Sequence, residues 1–244
     1  MESDILKARI LEAIKICQKS QKIKFLGFLT QEEAVFARQI LKNVNVEFSF
    51  FGGYEAAERV YLAVLPEWAE TLDFPINAVT FTYRNVDELT HRDFLGTLMG
   101  LGLKRESVGD ILVEQGRAVA FLSDSVTEFV KSQLKTVGRK GVTLTDGFIF
   151  PLPEGSRLVE CTDTVASARL DCIVAALANF SRNTAVLGIE EGRVFVNSVL
   201  CEKPTKTVNE GDIISIRGKG KFEIVSLSDL TRKNRLIFKY KKYV

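Results

Sequence analysis

The feature that most constrains this chain is a change of hydrophobic period near Gly192. Before it, Leu170, Ile173, Val174 and Leu177 recur at helical spacing, and Asp171 stands in the first turn, where its charge suits the helix dipole. The polar run Asn179 to Arg182 breaks this helix. Thr184, Ala185, Val186 and Ile189 then predict a second short helix, closed by Gly192. After Gly192 the period becomes two: Val194 and Val196 alternate with Arg193, Phe195 and Asn197, and Ile214 and Ile216 alternate with Ser215 and Arg217. Gly211-Asp212 is a turn signal before the second strand, and Asn197-Ser198 a weaker one after the first. Two helices meeting at a tight turn are followed by a hairpin of short strands.

Cations run through this unit as Arg169, Arg182, Arg193, Lys203, Lys206, Arg217, Lys219 and Lys221. The net charge of +2 hides an asymmetry, because residues 165–244 hold 14 Lys+Arg against 8 Asp+Glu while residues 1–164 hold 19 against 23. The positive end is the expected nucleic-acid face.

These residues resemble the alpha-L RNA-binding domain, named after the small-subunit ribosomal protein S-four. The matching positions are Arg169-Leu170-Asp171, Ser181-Arg182 with Ala185, Gly192 with Val194, Val196 and Asn197, then Lys203-Pro204 and Gly211-Asp212. Ser198 stands where that family most often has glycine, and Leu187-Gly188 replaces its usual polar pair. The resemblance implies that Arg169, Arg182, Lys203, Lys206, Arg217, Lys219 and Lys221 grip phosphates. It also implies that Ser181 and Thr184 bond to RNA near the start of the second helix. Many pseudouridine synthases pair such a domain with a catalytic Arg-Leu-Asp, but there the motif lies in a separate downstream domain. Here Asp171 opens the alpha-L unit itself and reads as a helix-start or ion-pair residue.

From the start of the chain, Ile5, Leu6, Ile10, Ala13, Ile14 and Cys17 make an amphipathic helix over residues 1–20. Phe25 to Leu29 is a short apolar run. Thr30 with Glu33 predicts a capping box opening a second helix, packed by Val35, Phe36 and Ile40. Val44 to Phe50 alternates as a strand, Gly52-Gly53 turns the chain, and Arg59 to Leu65 is another strand. Residues 1–73 therefore read as an N-terminal α/β domain, with Pro66 and Pro75 bracketing its boundary.

Between Ile76 and Asp146 the predicted order is strand, helix, hairpin, helix, strand, with the hairpin turning at Gln115-Gly116. That is the βαββαβ order of the ferredoxin-like, RNA-recognition-module plan, assigned to residues 74–160. Phe81 and Tyr83 are the aromatics of its first strand that could stack bases. His91-Arg92-Asp93 echoes a protein-kinase catalytic loop, yet position 98, which would hold metal as Asn, is Leu. In Gly100 to Glu106, Lys104 and Arg105 offer a possible second contact with RNA phosphates, or simply favourable cations after a helix C-cap.

That segment, with Gly109-Asp110, His91 to Gly96, Gly52-Gly53-Tyr54, Ala57-Glu58-Arg59, Arg217 to Phe222 and Thr231-Arg232-Lys233, resembles the YlmH family of bacterial proteins over nearly the whole chain. The resemblance implies an α+β chain of three parts: the N-terminal α/β domain, the ferredoxin-like middle domain, and an alpha-L domain over 166–244 ending in a basic tail. It also implies partners: ribosomal RNA or tRNA, the large ribosomal subunit and peptidyl-tRNA, in rescue or quality control of stalled ribosomes. Cell division, as a linked RNA-binding or scaffold role, is the second association it carries. Composition adds bounds. Cys17, Cys161, Cys172 and Cys201 lack metal-ligand spacing, so no metal or cofactor is expected. One histidine and no nucleophile-base arrangement leave an rRNA- or tRNA-modifying enzyme as the weaker reading, with no catalytic residue assigned. No apolar run spans a bilayer and no leader precedes the first helix, so the expected place is the cytoplasm.

Overall fold

In a computed structural model the described residues are 2–69, 72–153, 158–231 and 235–243. The chain divides into two compact units, Met1–Gly155 and Ser156–Val244.

The first unit opens with α1 (Glu2–Ser20), β1 (Lys24–Leu29), α2 (Gln31–Leu41), β2 (Glu47–Phe51) and β3 (Val60–Leu65), its strands forming an antiparallel sheet in the order β1-β3-β2. Leu6, Ile10, Ile14 and Cys17 of α1 meet Leu26, Leu62 and Val64 of the sheet in one core. Thr30 Oγ1 accepts the Glu33 amide at 3.2 Å and Glu33 Oε2 accepts the Thr30 amide at 2.7 Å, which completes the expected capping box. The buried stripe of α2 is Ala34, Ala37 and Leu41, while Val35, Phe36 and Ile40 lie at its margin. Strand β2 starts later than the alternation from Val44 suggests, because the Val44 amide still bonds the Leu41 carbonyl and prolongs the exit turn of α2.

The remainder of this unit runs β4 (Ile76–Thr82), α3 (His91–Gly100), a 3-10 turn (Arg105–Ser107), β5 (Val108–Glu114), β6 (Arg117–Ser123) and α4 (Asp124–Gln133). A small ribbon follows, β7 (Thr136–Val137) with β8 (Lys140–Gly141), and then β9 (Thr143–Asp146). The main sheet has the order β5-β6-β4-β9, antiparallel throughout, as the ferredoxin-like plan requires. Phe81 and Tyr83 do not form a base-stacking platform: they are 0% and 7% exposed, packed against Phe94 of α3. Alternation places the two rings on one face, but which face the helices cover is a matter of tertiary packing.

The opposite sheet face, which an RNA-recognition module leaves open, is filled over β5 and β6, while Thr82, Thr143 and Thr145 at its β4–β9 corner stay exposed. Val119 and Phe121 of β6 and Leu112 of β5 share a buried cluster with Phe28 of β1 and Tyr61 of β3. Tyr54 stacks on Phe121 with ring centroids 4.9 Å apart and 22° between planes. Two glycines permit this closeness. A Cβ on Gly53, whose φ is +100°, would fall 2.3 Å from the Phe121 ring, and one on Gly109 would fall 2.5 Å from the Phe28 ring. Residues 1–73 and 74–155 thus lie within one unit and share an aromatic layer, while 156–160, read from sequence as the end of the middle domain, belong to the second unit.

Asp110 fastens that layer. Its carboxylate is 9% exposed and accepts the Tyr54 hydroxyl at 2.8 Å, the Glu58 amide at 2.7 Å and the Arg59 amide at 3.1 Å. Arg59 continues the seam, donating to the carbonyls of Val108 at 3.1 Å and Phe28 at 2.8 Å. Burial pushes the Asp110 carboxyl above its ordinary range, against the three donors.

The second unit contains β10 (Leu158–Val165), α5 (Leu170–Ala178), α6 (Arg182–Glu190), β11 (Val194–Val196), β12 (Val199–Leu200), β13 (Ile213–Ile216), β14 (Gly220–Leu230) and β15 (Leu236–Tyr243). They make one sheet in the order β10-β15-β14-β13-β11-β12. Leu170, Ile173, Val174, Ala185 and Ile189 of the helices close one face over Val194, Ile214, Phe222, Ile224 and Phe238. The expected basic tail is instead a strand between β14 and β10. Its core residues Leu236, Phe238 and Tyr240 alternate with Ile237, Lys239 and Lys241, and the lysines hide the pattern in the sequence. Arg232 and Lys233 lie outside the described residues. Among those described, no single helix is long and apolar enough to cross a membrane.

Replacing Asp110 by Ala leaves two amides and a hydroxyl without their acceptor, and should lower the unfolding free energy of the first unit by about 3 kcal/mol. Tyr54→Phe, which removes one donor, should cost about 1 kcal/mol. Urea denaturation measures both, and a loss below about 0.5 kcal/mol for Asp110→Ala would refute the fastening role.

Candidate nucleic-acid interface

The start of α5 is built by a distant loop. The Leu170 amide donates to the Lys206 carbonyl at 2.8 Å and the Asp171 amide to the Pro204 carbonyl at 3.0 Å, while the Val208 amide bonds the Ala168 carbonyl at 2.8 Å. These bonds satisfy helix N-terminal donors that would otherwise lack partners. They also hold the exposed residues Lys203 and Lys206 at the end of the helix where Arg169 stands.

Helix α5 ends at Asn179, in the left-handed conformation with φ 55° and ψ 51°, and the axis of α6 turns by 110°. Ser181 caps α6, its hydroxyl accepting the Thr184 amide at 3.1 Å and lying 2.7 Å from the Thr184 hydroxyl. Both predicted hydrogen-bonding residues are therefore parts of the cap, and both are exposed.

Asp171 holds the two helix starts together. It is 1% exposed, and its Oδ1 and Oδ2 accept Arg169 Nε and Nη2 at 3.1 and 2.9 Å. Arg182 Nε reaches Oδ2 at 3.0 Å. Burial pushes this carboxyl up, but the two guanidinium groups outweigh burial and hold it below the ordinary range. The arginine side chains remain about half exposed, 41% and 56%. Two cations around one anion leave a net positive cluster whose guanidinium planes are fixed before any ligand arrives.

The other predicted cations divide between two sides. Lys219 Nζ lies 4.6 Å from the Phe180 ring, next to Ser181, so it belongs with the helix starts. Arg217 lies 5.4 Å over Phe195, and Lys221 Nζ lies 4.9 Å over Tyr243, on the sheet face turned away from the helices. In the first unit, Lys104 is exposed before the 3-10 turn. Arg105 turns inward, its guanidinium donating to the Val108 carbonyl, and burial beside Arg59 brings its pKa down to about 10. The kinase-like echo is resolved too, since Asp93 Oδ2 accepts the Thr90 amide at 2.8 Å and the Thr90 hydroxyl at 2.6 Å at the start of α3.

The sequence reading missed the role of Asp171 as a shared acceptor, because its second arginine lies 11 residues away across a helix break. It also missed Lys239, Lys241 and Tyr243 for the reason that it missed β15.

The family described as "Putative RNA-binding domain in YlmH" matches residues 69–148, the span of the ferredoxin-like sheet. A solved structure, "Cell division protein ylmH from Streptococcus pneumoniae", superposes with a TM-score of 0.54 at 26% identity, covering 61% of this chain and 92% of that one. "Ribosome-associated protein quality control protein P2" of Bacillus subtilis (strain 168) is 34% identical over 231 residues, 92% of this chain and 89% of that protein. The chain belongs to the YlmH family. The YlmH-like residues of the first unit can now be placed. Tyr54, Glu58 and Arg59 all bond Asp110, and a Cβ on Gly52 would fall 2.3 Å from both Ala57 Cβ and the Arg59 carbonyl oxygen. In this YlmH chain, then, those residues form a structural seam.

The sign of one pH effect follows from Asp171. Its carboxyl sits below the unfolded value of about 3.9, so its ionisation contributes stability that is present above that pH and lost as pH falls through the folded value. Thermal melts between pH 7 and pH 3 should show Asp171→Asn less stable than wild type at neutral pH and losing less on acidification. Parallel pH profiles would contradict the triad.

Proposed function

We propose that this protein is a non-enzymatic, cytoplasmic RNA-binding factor that associates with the large ribosomal subunit and peptidyl-tRNA and serves in rescue or quality control of stalled ribosomes. The observation that carries the reading is the Arg169–Asp171–Arg182 cluster, with Lys203 and Lys206 tied to the same helix end. Fixed guanidinium groups beside a helix N-terminus suit phosphate oxygens, and such contacts read the shape of an RNA more than its bases. The ribosomal part draws on the name of the Bacillus subtilis relative.

The non-enzymatic part rests on how the buried carboxylates are used. Asp171 is held ionised between two arginines, Asp87 is held by Arg84 and Lys140, and Asp110 accepts three donors, so none of the three is placed as a general acid or base. Any contact made by the ferredoxin-like sheet would use its edges, its loops with Lys104 among them, or the β4–β9 corner at Thr82, Thr143 and Thr145, because the helices cover one face and the aromatic layer buries Leu112, Val119 and Phe121 on the other. A division-linked role is the second reading, and the name of the pneumococcal structure favours it.

Sedimentation of tagged protein with ribosomal fractions tests the proposal. Wild type should travel with large subunits and Arg169→Ala with Arg182→Ala should remain at the top of the gradient. Wild type at the top of the gradient would refute the ribosomal reading. With about five phosphates neutralised, the logarithm of RNA affinity should fall by about 3.5 to 4.5 for each decade of salt. A flat salt dependence would refute the phosphate contacts.

A further inference from the structure

The six-stranded sheet of the second unit has a face that the helices do not cover. Phe222, Ile224 and Phe238 point into the helix-side core. Phe195, Ser215 and Lys221 lie side by side across β11, β13 and β14 on the other face. Phe222 pairs with Lys242, so the neighbours one position along are Lys221 and Tyr243, consistent with the 4.9 Å contact between them. Arg217 follows Ser215 by two residues, and Lys239 and Lys241 precede Tyr243 by four and two, so alternation keeps them on this face.

An uncovered antiparallel face is polar in many proteins, and lysines on it need no ligand. Two aromatic rings do not fit that pattern. Phe195 and Tyr243 are only partly buried, about 14 Å apart at three strand spacings, and each carries a cation over its ring. Among the described side chains of this face, Glu160 and Glu223 both pair across the strands with Lys241, and Arg217 and Lys239 add positive charge to it.

We infer that this face is a second RNA surface, distinct from the helix starts, and that it takes unpaired RNA. Bases stack on Phe195 and Tyr243, while Arg217 and Lys221 turn from the rings to the adjoining phosphates. Stacking on exposed rings flanked by cations is the recurrent way to hold single strands without reading their sequence. The turn between β13 and β14 joins the two surfaces, since it sends Lys219 to Phe180 on the helix side and Arg217 to Phe195 on the other. An RNA held at the helix starts could therefore continue around this turn as a single strand.

The test uses the full chain and two probes, a fluorescein-labelled ten-nucleotide oligouridylate and a labelled RNA hairpin, read by fluorescence anisotropy. Phe195→Leu with Tyr243→Leu keeps apolar bulk and every cation. It should weaken the oligouridylate by about tenfold or more, leaving its salt slope and hairpin binding unchanged. Phe195→Trp, with a larger ring, should strengthen oligouridylate binding and covers the case in which the leucine pair unfolds. Arg169→Ala with Arg182→Ala should weaken the hairpin and spare the oligouridylate. If instead the hairpin is unaffected, the proposed function fails while this surface stands. Absence of oligouridylate binding by wild type, equal binding by the leucine pair, no gain from tryptophan, or equal competition by polyglutamate would each overturn the inference.

Discussion

A carboxylate removed from water must find donors, and Asp171 finds them on two arginines that the chain would otherwise leave apart. Arg169 precedes α5 and Arg182 begins α6, and their shared acceptor fixes where the two helix starts stand relative to each other. The same carboxylate holds the two guanidinium planes still, the feature on which the proposed phosphate contacts rest. The placing of the helix pair thus draws on one ion cluster, and the loop bearing Lys203 and Lys206 is tied to it by backbone bonds.

Asp110 has a comparable place in the first unit but a different consequence. Its three donors pin the segment from Tyr54 to Arg59 against the ferredoxin-like sheet, and Tyr54 then lies on Phe121 where a base would lie in an RNA-recognition module. Glycines at positions 53 and 109 let aromatic rings approach the backbone too closely for any side chain. The protein fills its own stacking face.

Much of this architecture was legible in the chain. The capping box at Thr30, the βαββαβ order, the turn at Gln115-Gly116 and the helix pair closed by Gly192 are local events, set by residues within a few positions of one another. Strand β15 was not legible, because its apolar residues alternate with lysines and its partners β10 and β14 come from outside its own stretch. Phe81 and Tyr83 were legible as strand aromatics but not as buried ones. A period of two says that they share a face and cannot say what covers it.

The sequence by itself determined the elements, their order, the family resemblance and the positive charge of the last third, since each depends on composition or on short-range spacing. Only the tertiary structure decided which cations act together. Arg169 and Arg182 met on Asp171, Lys219 joined them beside Phe180, and Arg217 with Lys221 went to the opposite face of the sheet. The physical reason is that a buried carboxylate and a strand register act between residues far apart in the chain, and neither distance is written in local spacing.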